Sequence, residues 1–353
     1  MQGELPNITS EWIDKIFEVQ LADFEALALS LFRYQYHHNP IYGQYADAVG
    51  RPFGRQRPGD AGRVRGLADI PFLPISFFKT HHVACGPFRP AAIFESSGTT
   101  QTINSRHYIR DLSVYTRSFL LAFEQFYGPP AGWCVLGLLP SYLERKGSSL
   151  VLMVDELVRQ SGHPDSGFYL YEHEKLAQLL QKLEAAGQKT LLIGVTFALL
   201  DFAEQYSLRL RHTVVMETGG MKGRREEWTR GQVHAFLNER LGTTAIHSEY
   251  GMTELLSQAY SPGEGIFNCP PWMKIVLREE DDPFQLMLAG GHDSAITGNP
   301  AATGLINVID LANVYSCSFI ATDDVGKLYP DGSFEVMGRR DNADLRGCSL
   351  MVV

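Results

Sequence analysis

The hydrophobic and polar positions of the chain alternate between two periods, which predicts a mixed α/β protein. Apolar runs of strand length lie in the middle of the chain at 133–140, 190–197, 212–218 and 243–250. Helical periods lie between or after these runs at 150–160, 174–186 and 225–241. Such alternation of buried strands with helices is typical of a largely parallel, doubly wound sheet.

The two ends of the chain have other patterns. Near the start, Ser10 is the predicted N-cap of a first helix, and a second helical period follows. The stretch 51–90 is rich in Gly, Pro and Arg, which predicts an irregular connection. Beyond Ser261 the pattern predicts short strands and turns, with a hairpin turn at 330–332 (Pro-Asp-Gly).

Composition excludes several classes of protein. The chain has 353 residues, 44% of them hydrophobic and 20% charged, which is ordinary for a globular protein with a real core. The net charge of −9, without a long Lys/Arg cluster, argues against nucleic-acid binding. Five scattered cysteines without CxxC spacing are typical of a reduced protein. With neither a signal-peptide pattern nor a spanning apolar stretch, we expect a cytoplasmic protein without a membrane span.

Two short polar clusters follow predicted strands. After the strand ending at Phe94, the stretch 96–100 reads Ser-Ser-Gly-Thr-Thr, a plain loop or a cradle for phosphate. The Walker lysine is missing from it. At the end of the strand 243–250, the stretch 249–254 reads Glu-Tyr-Gly-Met-Thr-Glu, at the sheet edge where α/β proteins bind ligands. Thr253 and Glu254 would there contact phosphate and Mg²⁺; alternatively, they cap the first turn of a helix.

A third cluster lies in 321–347. Asp323 and Asp324 would accept hydrogen bonds from a ribose diol, or they are solvated acids in a turn. Taken in order, "SSGTT", "YGMTE" and "TDDVGKLYPDGSFEVMGRRDN" resemble the signature motifs of the adenylate-forming (acyl-activating) superfamily. The resemblance runs from about Phe94 to Gly347 and implies ATP and Mg²⁺ as cofactors.

The resemblance also implies a fold and a domain plan. The expected fold is a large α/β domain with doubly wound sheets and a smaller β-rich C-terminal part, lacking the usual lid domain. The implied divisions are a helical and irregular segment (1–90), an adenylate-forming core (91–337), and a hinge-like motif with a C-terminal tail (338–353).

Site residues carry over by position in the motifs. The resemblance assigns the ATP phosphates to Ser96, Ser97, Gly98, Thr99 and Thr100. It assigns the adenine pocket to Gly219, Gly220, Tyr250 and Gly251, phosphate contact to Thr253 and Mg²⁺ to Glu254. It assigns the ribose to Asp324 and matches Arg339 to the family's arginine after that aspartate, as a further cofactor-binding residue. Two departures are Gln101 and Asp323, each standing where the family has glycine.

The terminal "RGCSLMVV" carries Cys348. With "YGMTELLSQAYS", it resembles the LuxE-type acyl-protein synthetases, which adenylate a fatty acid and move the acyl group to a cysteine near the C-terminus. The implied activity is an AMP-forming acid–thiol ligase with Cys348, Thr253 and Glu254 as catalytic residues and an acyl-CoA-reductase-like protein as partner. Two alternatives stay open: a ligase that acylates free coenzyme A, and a nucleotide-binding scaffold without turnover.

Overall fold

The computed structural model describes residues 8–50, 64–96, 103–139, 147–219, 228–287 and 301–340. They form two units, each interrupted along the chain. Unit 1 contains the described residues of 1–118, 253–257 and 269–334; unit 2 contains those of 119–252, 258–268 and 335–340. The divisions at residues 90 and 337 stay a prediction.

The described helices are α1 (Ser10–Phe17), α2 (Phe24–His38), α3 (Pro40–Gly50), α4 (Phe77–Thr80), α5 (Leu112–Tyr127), α6 (Ser149–Ser161), α7 (His173–Ala185), α8 (Thr196–Gln205) and α9 (Arg230–Leu241). The described strands are β1 (Leu73–Pro74), β2 (Ala92–Glu95), β3 (Arg106–Ile109), β4 (Cys134–Leu138), β5 (Gly167–Phe168), β6 (Thr190–Gly194), β7 (Thr213–Glu217), β8 (Ile246–Tyr250), β9 (Ala259–Ser261), β10 (Ile266–Phe267), β11 (Met273–Arg278), β12 (Leu286–Met287), β13 (Ala302–Asp310), β14 (Phe319–Leu328) and β15 (Phe334–Arg339). The predicted mixed α/β class is confirmed.

Unit 2 is built on a sheet in the order β5-β4-β6-β7-β8-β9. The strands from β5 to β8 are parallel, and β9 is antiparallel to β8. Each predicted apolar run contains one of β4, β6, β7 and β8, so the parallel sheet is confirmed. The core of the unit packs leucines of α7 and α8 against this sheet.

Helix α8 of unit 2 was not predicted. The apolar run at 190–197 was expected to be strand throughout, but β6 ends at Gly194 and α8 begins at Thr196. Sequence periodicity does not separate a buried strand from a buried helix in so apolar a run. The N–H of Thr196, in the first turn of α8, has no partner within the helix and donates to the carbonyl of Gly219 at 3.2 Å.

Helix α9 has strong signals at both ends. Thr229 is its N-cap and forms a capping box with Gln232, with the Gln232 N–H 3.3 Å from the Thr229 hydroxyl oxygen. Gly242 is its C-cap, with a left-handed φ of 64°. A Cβ at this position would lie 2.8 Å from the carbonyl oxygen of Leu208. The helix end therefore requires glycine for both conformation and space.

We expect Gly242→Ala to lower the free energy of unfolding by about 2 kcal/mol or more, because it combines left-handed backbone strain with a backbone clash. Gly231→Ala is the matched control in the same helix. A Cβ at Gly231 meets nothing within 4 Å, so alanine there should stabilise by about 0.5 kcal/mol. Urea unfolding of both variants measures this; equal effects would contradict it.

Unit 1 contains an antiparallel sheet in the order β12-β11-β13-β14, with β1 parallel to the outer side of β14. Strands β2 and β3 form a separate antiparallel pair. Phe319 lies in β14, and its ring is buried against the rings of Phe32, Tyr42 and Phe72. At the start of the unit, the N-cap of α1 is Thr9 and not Ser10, because the Thr9 hydroxyl accepts from the N–H of Trp12.

The predicted turn at 330–332 is confirmed. The N–H of Tyr329 donates to the carbonyl of Ser333 at 2.9 Å, and Gly332 has a φ of 87°. The alternative that Asp323 and Asp324 are turn acids is wrong, since both lie within β14. Their side chains alternate as the strand period requires, so that Asp323 is exposed and Asp324 is buried.

Candidate nucleotide site

Two adjacent strand ends in unit 2 carry predicted nucleotide-binding residues. Strands β7 and β8 are parallel, with Glu217 opposite Ser248. Gly219 comes two residues after β7, and Tyr250 is the last residue of β8. Because the carboxyl ends of parallel strands meet at one sheet edge, the structure brings Gly219 and Tyr250 to the same edge. Ligands of open α/β sheets bind at this edge.

A buried carboxylate fixes the end of β7. Glu217 is 4% exposed, and its Oε2 accepts from the Gly219 N–H at 2.7 Å and from the Thr196 hydroxyl at 3.0 Å. Its Oε1 lies 3.5 Å from the Arg230 guanidinium and 3.6 Å from His234 Nε2. The left-handed turn at Gly219, with a φ of 74°, is therefore held by side chains of three elements.

Glu217 stays ionised although it is buried. Burial by itself raises the pKa of this carboxyl, but hydrogen bonds and the Arg230 charge outweigh burial and lower the pKa to about 2. The main contributions come from His234, Arg230, Ser248 and the Gly219 N–H. The negative charge therefore has enough partners to persist at neutral pH.

A second carboxyl at this edge behaves in the opposite way. Burial, and next the charge of Glu217, raise the pKa of Glu249 to about 8. Glu249 therefore carries a proton at pH 7. A Cβ at Gly251 would lie 2.3 Å from Glu249 Oε1, so the Gly251 backbone passes directly over this carboxyl. Only glycine fits in that position without displacing Glu249.

Tyr250 itself is largely buried. Its side chain is 8% exposed, and its ring lies 6.0 Å from the ring of Phe267 at 62°. Arg230 stands 5.2 Å from the centre of the same Phe267 ring. The predicted role of Tyr250 as the aromatic partner of adenine stays a prediction. Arg339, also in unit 2, is half-buried at the end of β15.

The other described candidates belong to unit 1. Thr253 and Glu254 form a turn and no helix follows them directly, so the alternative that they cap a helix is wrong. Glu254 is 1% exposed. Asp324 is buried in β14, and its N–H donates to the Thr322 hydroxyl at 3.2 Å. Ser96 follows β2, and its hydroxyl oxygen accepts from the N–H of Ser105 at 2.9 Å.

Several candidates lie outside the described residues, and their roles stay predictions: Ser97, Gly98, Thr99, Thr100, Gly220 and Cys348. The same holds for Gln101. Ser96 is joined to Ser105 by two hydrogen bonds, one from its own N–H to the Ser105 carbonyl at 3.1 Å and one from the Ser105 N–H to its hydroxyl.

The residues present fit a Mg²⁺ ion that arrives with a nucleotide. Mg²⁺ in such sites takes one or two carboxylates and completes its shell with water and phosphate oxygens. The Glu254 carboxylate and the Thr253 hydroxyl are oxygen donors of this kind on adjacent residues. In the part of the chain that the structure describes, no group of three or more His, Cys, Asp or Glu residues is arranged to hold a metal.

A cavity of about 580 Å³ lies at the opposite, amino edge of the unit 2 sheet. Its walls include Lys189, His212, Thr213 and His247. His247 is engaged there, since its Nδ1 lies 3.2 Å from the Tyr127 hydroxyl, and burial lowers its pKa. The cavity therefore does not contain the residues that the motifs indicate.

Sequence reasoning missed the buried polar residues around the motifs. Glu217 comes two residues before the predicted Gly219, and its place at a strand end was a usable signal. His234 lies among the buried positions of α9, between Val233 and Leu237, where a polar residue indicates a specific partner. No local pattern indicates that Glu217 and Glu249 would have such different pKa values.

The comparisons with known proteins give only distant structural matches. No family model matches the sequence, and no curated protein matches it. Among solved structures, coronafacic acid ligase from Pectobacterium brasiliense is 14% identical with a TM-score of 0.38, covering 58% of this chain and 39% of that chain. O-succinylbenzoate coenzyme A synthetase from Bacillus subtilis, with ATP and magnesium ion, is 16% identical with a TM-score of 0.45, covering 73% and 51%.

The luciferase-like enzyme from the nonluminescent Zophobas morio mealworm is 14% identical with a TM-score of 0.46, covering 83% of this chain and 64% of that chain. This chain spans less than two thirds of the length of each of these three structures. Among the helices that the structure describes, none combines the length and apolar character needed to span a bilayer.

Proposed function

We propose that this protein activates a carboxylic acid, most simply a fatty acid, as an acyl adenylate at the expense of ATP. The acyl group then moves to the thiol of Cys348 and on to an acyl-CoA-reductase-like protein. This is the activity of the LuxE-type acyl-protein synthetases, which the motifs resemble. The observation that carries the proposal is the ordered set of three motifs, one of which begins at Tyr250, the carboxyl end of a strand in the parallel sheet.

The geometry of unit 2 supports nucleotide binding. Gly219 and the Tyr250–Gly251 pair stand at one carboxyl edge, and the Glu217 carboxylate fixes the backbone at Gly219. The glycine at position 251 lets the backbone after Tyr250 pass directly over the Glu249 carboxyl. These features suit an adenine held by backbone groups and an aromatic side chain.

The proposed chemistry needs a good leaving group on the acid. The carboxylate of the substrate attacks the α-phosphorus of ATP. The bond from that phosphorus to the bridging oxygen breaks, pyrophosphate leaves, and an acyl adenylate forms. A thiolate then attacks the acyl carbon, and AMP leaves with the electrons of the acyl–oxygen bond, giving a thioester. Bound Mg²⁺ supplies positive charge that offsets the phosphate charges. Thr253 would bind a phosphate oxygen, Glu254 would hold the ion and Asp324 would bind the ribose.

The other cysteines are poor candidates for the acyl group. Burial raises the pKa of Cys134 to about 11 and those of Cys269 and Cys317 to about 12, and it raises the pKa of Cys85 as well. Since the thiolate is the nucleophile, these four thiols are unreactive at neutral pH. This supports Cys348 as the acyl acceptor.

The test is the intact mass of the protein after incubation with ATP, Mg²⁺ and a panel of carboxylic acids. We expect a hydroxylamine-labile acyl mass on the wild type and none on Cys348→Ser. Cys269→Ser is the matched control, because Cys269 is the least buried of the described cysteines and should leave the adduct unchanged.

Other outcomes distinguish the alternatives. AMP release that requires free coenzyme A, with no protein adduct, would assign the ligase activity and contradict transfer to Cys348. ATP binding without acid-dependent release of pyrophosphate would assign a nucleotide-binding scaffold. An adduct that persists in Cys348→Ser would place the acyl group on another residue.

A further inference from the structure

The segment Thr253–Ser257 is buried but has no regular secondary structure. It forms a turn and a bend, and Glu254, Leu255 and Ser257 are at most 1% exposed. Backbone N–H and C=O groups that are buried outside helices and sheets require other partners. In this segment, side chains of unit 1 supply them.

Two side chains bind the carbonyls of the candidate phosphate and Mg²⁺ residues. Nδ1 of His107, in β3, lies 2.9 Å from the carbonyl oxygen of Thr253. Nδ2 of Asn313 donates to the carbonyl oxygen of Glu254 at 2.8 Å. The two carbonyls that flank the Glu254 side chain therefore each have a fixed donor.

One carboxyl binds the amides that follow. Oδ2 of Asp310 accepts from the N–H of Leu256 at 2.7 Å and from that of Ser257 at 3.1 Å. Oδ1 of Asp310 accepts from the Ser257 hydroxyl at 2.6 Å. Asp310 is fully buried at the end of β13. The segment is thus held on its carbonyl side and on its amide side.

His107 is a fixed donor in this arrangement. Its ring is buried, and Nδ1 lies 2.9 Å from the carbonyl oxygen of Thr253. Since a carbonyl oxygen only accepts, Nδ1 carries the proton of this hydrogen bond.

The residues that hold the segment are themselves anchored. Nε2 of Gln35, in α2, donates to the carbonyls of Asn313 at 2.9 Å and Val314 at 3.0 Å. Its Oε1 accepts from the N–H of Ser318 at 2.8 Å. Gln35 is fully buried, so the connection between β13 and β14 has little freedom to shift.

We propose that His107, Asn313 and Asp310 are positioning residues that set the backbone of Thr253 and Glu254 for nucleotide-bound Mg²⁺. The inference rests on the proposed function, because it takes Thr253 and Glu254 as the phosphate and metal residues. These three residues lie outside the motifs. Their action is indirect. Each one forms a hydrogen bond with the main chain of the segment, and the position of that main chain sets where the side chains of Thr253 and Glu254 begin.

The first test varies His107. We expect His107→Leu to raise the Mg²⁺ concentration for half-maximal ATP binding about tenfold, the effect of losing one buried hydrogen bond. His107→Asn, whose amide N–H can reach the position of Nδ1, should restore it to within about threefold. If His107 only stabilised the fold, the Mg²⁺ concentration for half-maximal ATP binding would change in both variants in step with their melting temperatures.

The second test does not use Mg²⁺ or activity. Hydrogen exchange of the Leu256 and Ser257 amides should be faster in Asp310→Asn than in the wild type, without ligands. Phe319→Leu is the control for lost stability, since the Phe319 ring packs against the rings of Phe32, Tyr42 and Phe72. It should unfold more easily while leaving both the Mg²⁺ dependence and the local exchange unchanged.

The outcomes separate this inference from the proposed function. If the wild type binds ATP with Mg²⁺ and His107→Leu has the same half-maximal concentration, the positioning proposal is wrong and the proposed function stands. If the wild type shows no Mg²⁺-dependent ATP binding, both are wrong. Exchange of the two amides that is unchanged in Asp310→Asn would contradict the hydrogen bonds on which the proposal rests.

Discussion

Replacing Glu254 with glutamine is expected to slow acid-dependent AMP formation by about a hundredfold or more, with the fold retained. Glutamine has nearly the shape of glutamate but no charge, so the replacement removes the negative ligand while filling the same buried volume. An ion that stabilises developing phosphate charge contributes several kcal/mol, and each 1.4 kcal/mol is about tenfold in rate. The measurement is AMP release at saturating ATP and acid over a range of Mg²⁺ concentrations.

The comparison needs a control for charge loss elsewhere. Glu174 is exposed in α7, and Glu174→Gln removes one carboxylate without touching the motifs. It should release AMP at the wild-type rate. AMP release by Glu254→Gln within a few-fold of wild type, at every Mg²⁺ concentration, would show that Glu254 does not hold the ion. A large fall in its melting temperature would instead indicate a role in folding.

Replacing Glu249 with glutamine is expected to stabilise the protein increasingly as the pH rises. The pKa of Glu249 is raised from 4.5 to about 8, chiefly by burial. Below pH 4.5 the carboxyl is protonated in both the folded and the unfolded protein. Between pH 4.5 and 8 the folded protein keeps a proton that the unfolded chain has lost, so its free energy of unfolding falls as the pH rises.

The size of this effect is large for one side chain. The difference between the two pKa values corresponds to about 5 kcal/mol over the whole interval. Between pH 5 and pH 8 the loss is about 3 kcal/mol. Glutamine does not ionise, so the variant has no such loss from this position. The difference in free energy of unfolding, variant minus wild type, should therefore rise by about 3 kcal/mol from pH 5 to pH 8.

Urea unfolding at several pH values measures that difference. Asp310, with a pKa of about 6, and His107, with a pKa of about 4, titrate in or near the same interval. Their contributions cancel when variant and wild type are compared at each pH. The pKa of Glu217 is lowered from 4.5 to about 2, so its contribution to the free energy of unfolding is lost only as the pH falls below 4.5. It therefore does not change between pH 5 and pH 8. A difference that is constant with pH would contradict the prediction.

The sequence predicted the architecture where local signals agree. Strands β4, β6, β7 and β8 appear as short apolar runs, and helices α6, α7 and α9 as helical periods between or after them. The turn at 330–332 follows from Pro, Asp and Gly in succession. The motif residues Gly219 and Tyr250 could be placed at strand ends for the same reason, because the runs that precede them are strands.

The tertiary structure decided what local pattern leaves open. Local pattern does not show that 190–197 changes from strand to helix at Thr196, where the N–H is bonded to Gly219, a residue far along the chain. Whether Thr253 and Glu254 capped a helix depended on His107, Asn313 and Asp310, which bind that backbone as a turn. Such partners come from distant segments, and only the folded chain brings them together.

The clearest division concerns the two carboxyls at one sheet edge. The sequence by itself predicted strands over 212–218 and 243–250, near whose ends Glu217 and Glu249 lie, and the structure pairs these strands in parallel. Only the tertiary structure decided that Glu217 is charged, because Arg230, His234 and the Gly219 N–H compensate its burial. Glu249 has the same burial and faces the Glu217 charge, so it keeps its proton. Residue type fixes the ordinary pKa, and the surroundings in the fold fix the real one.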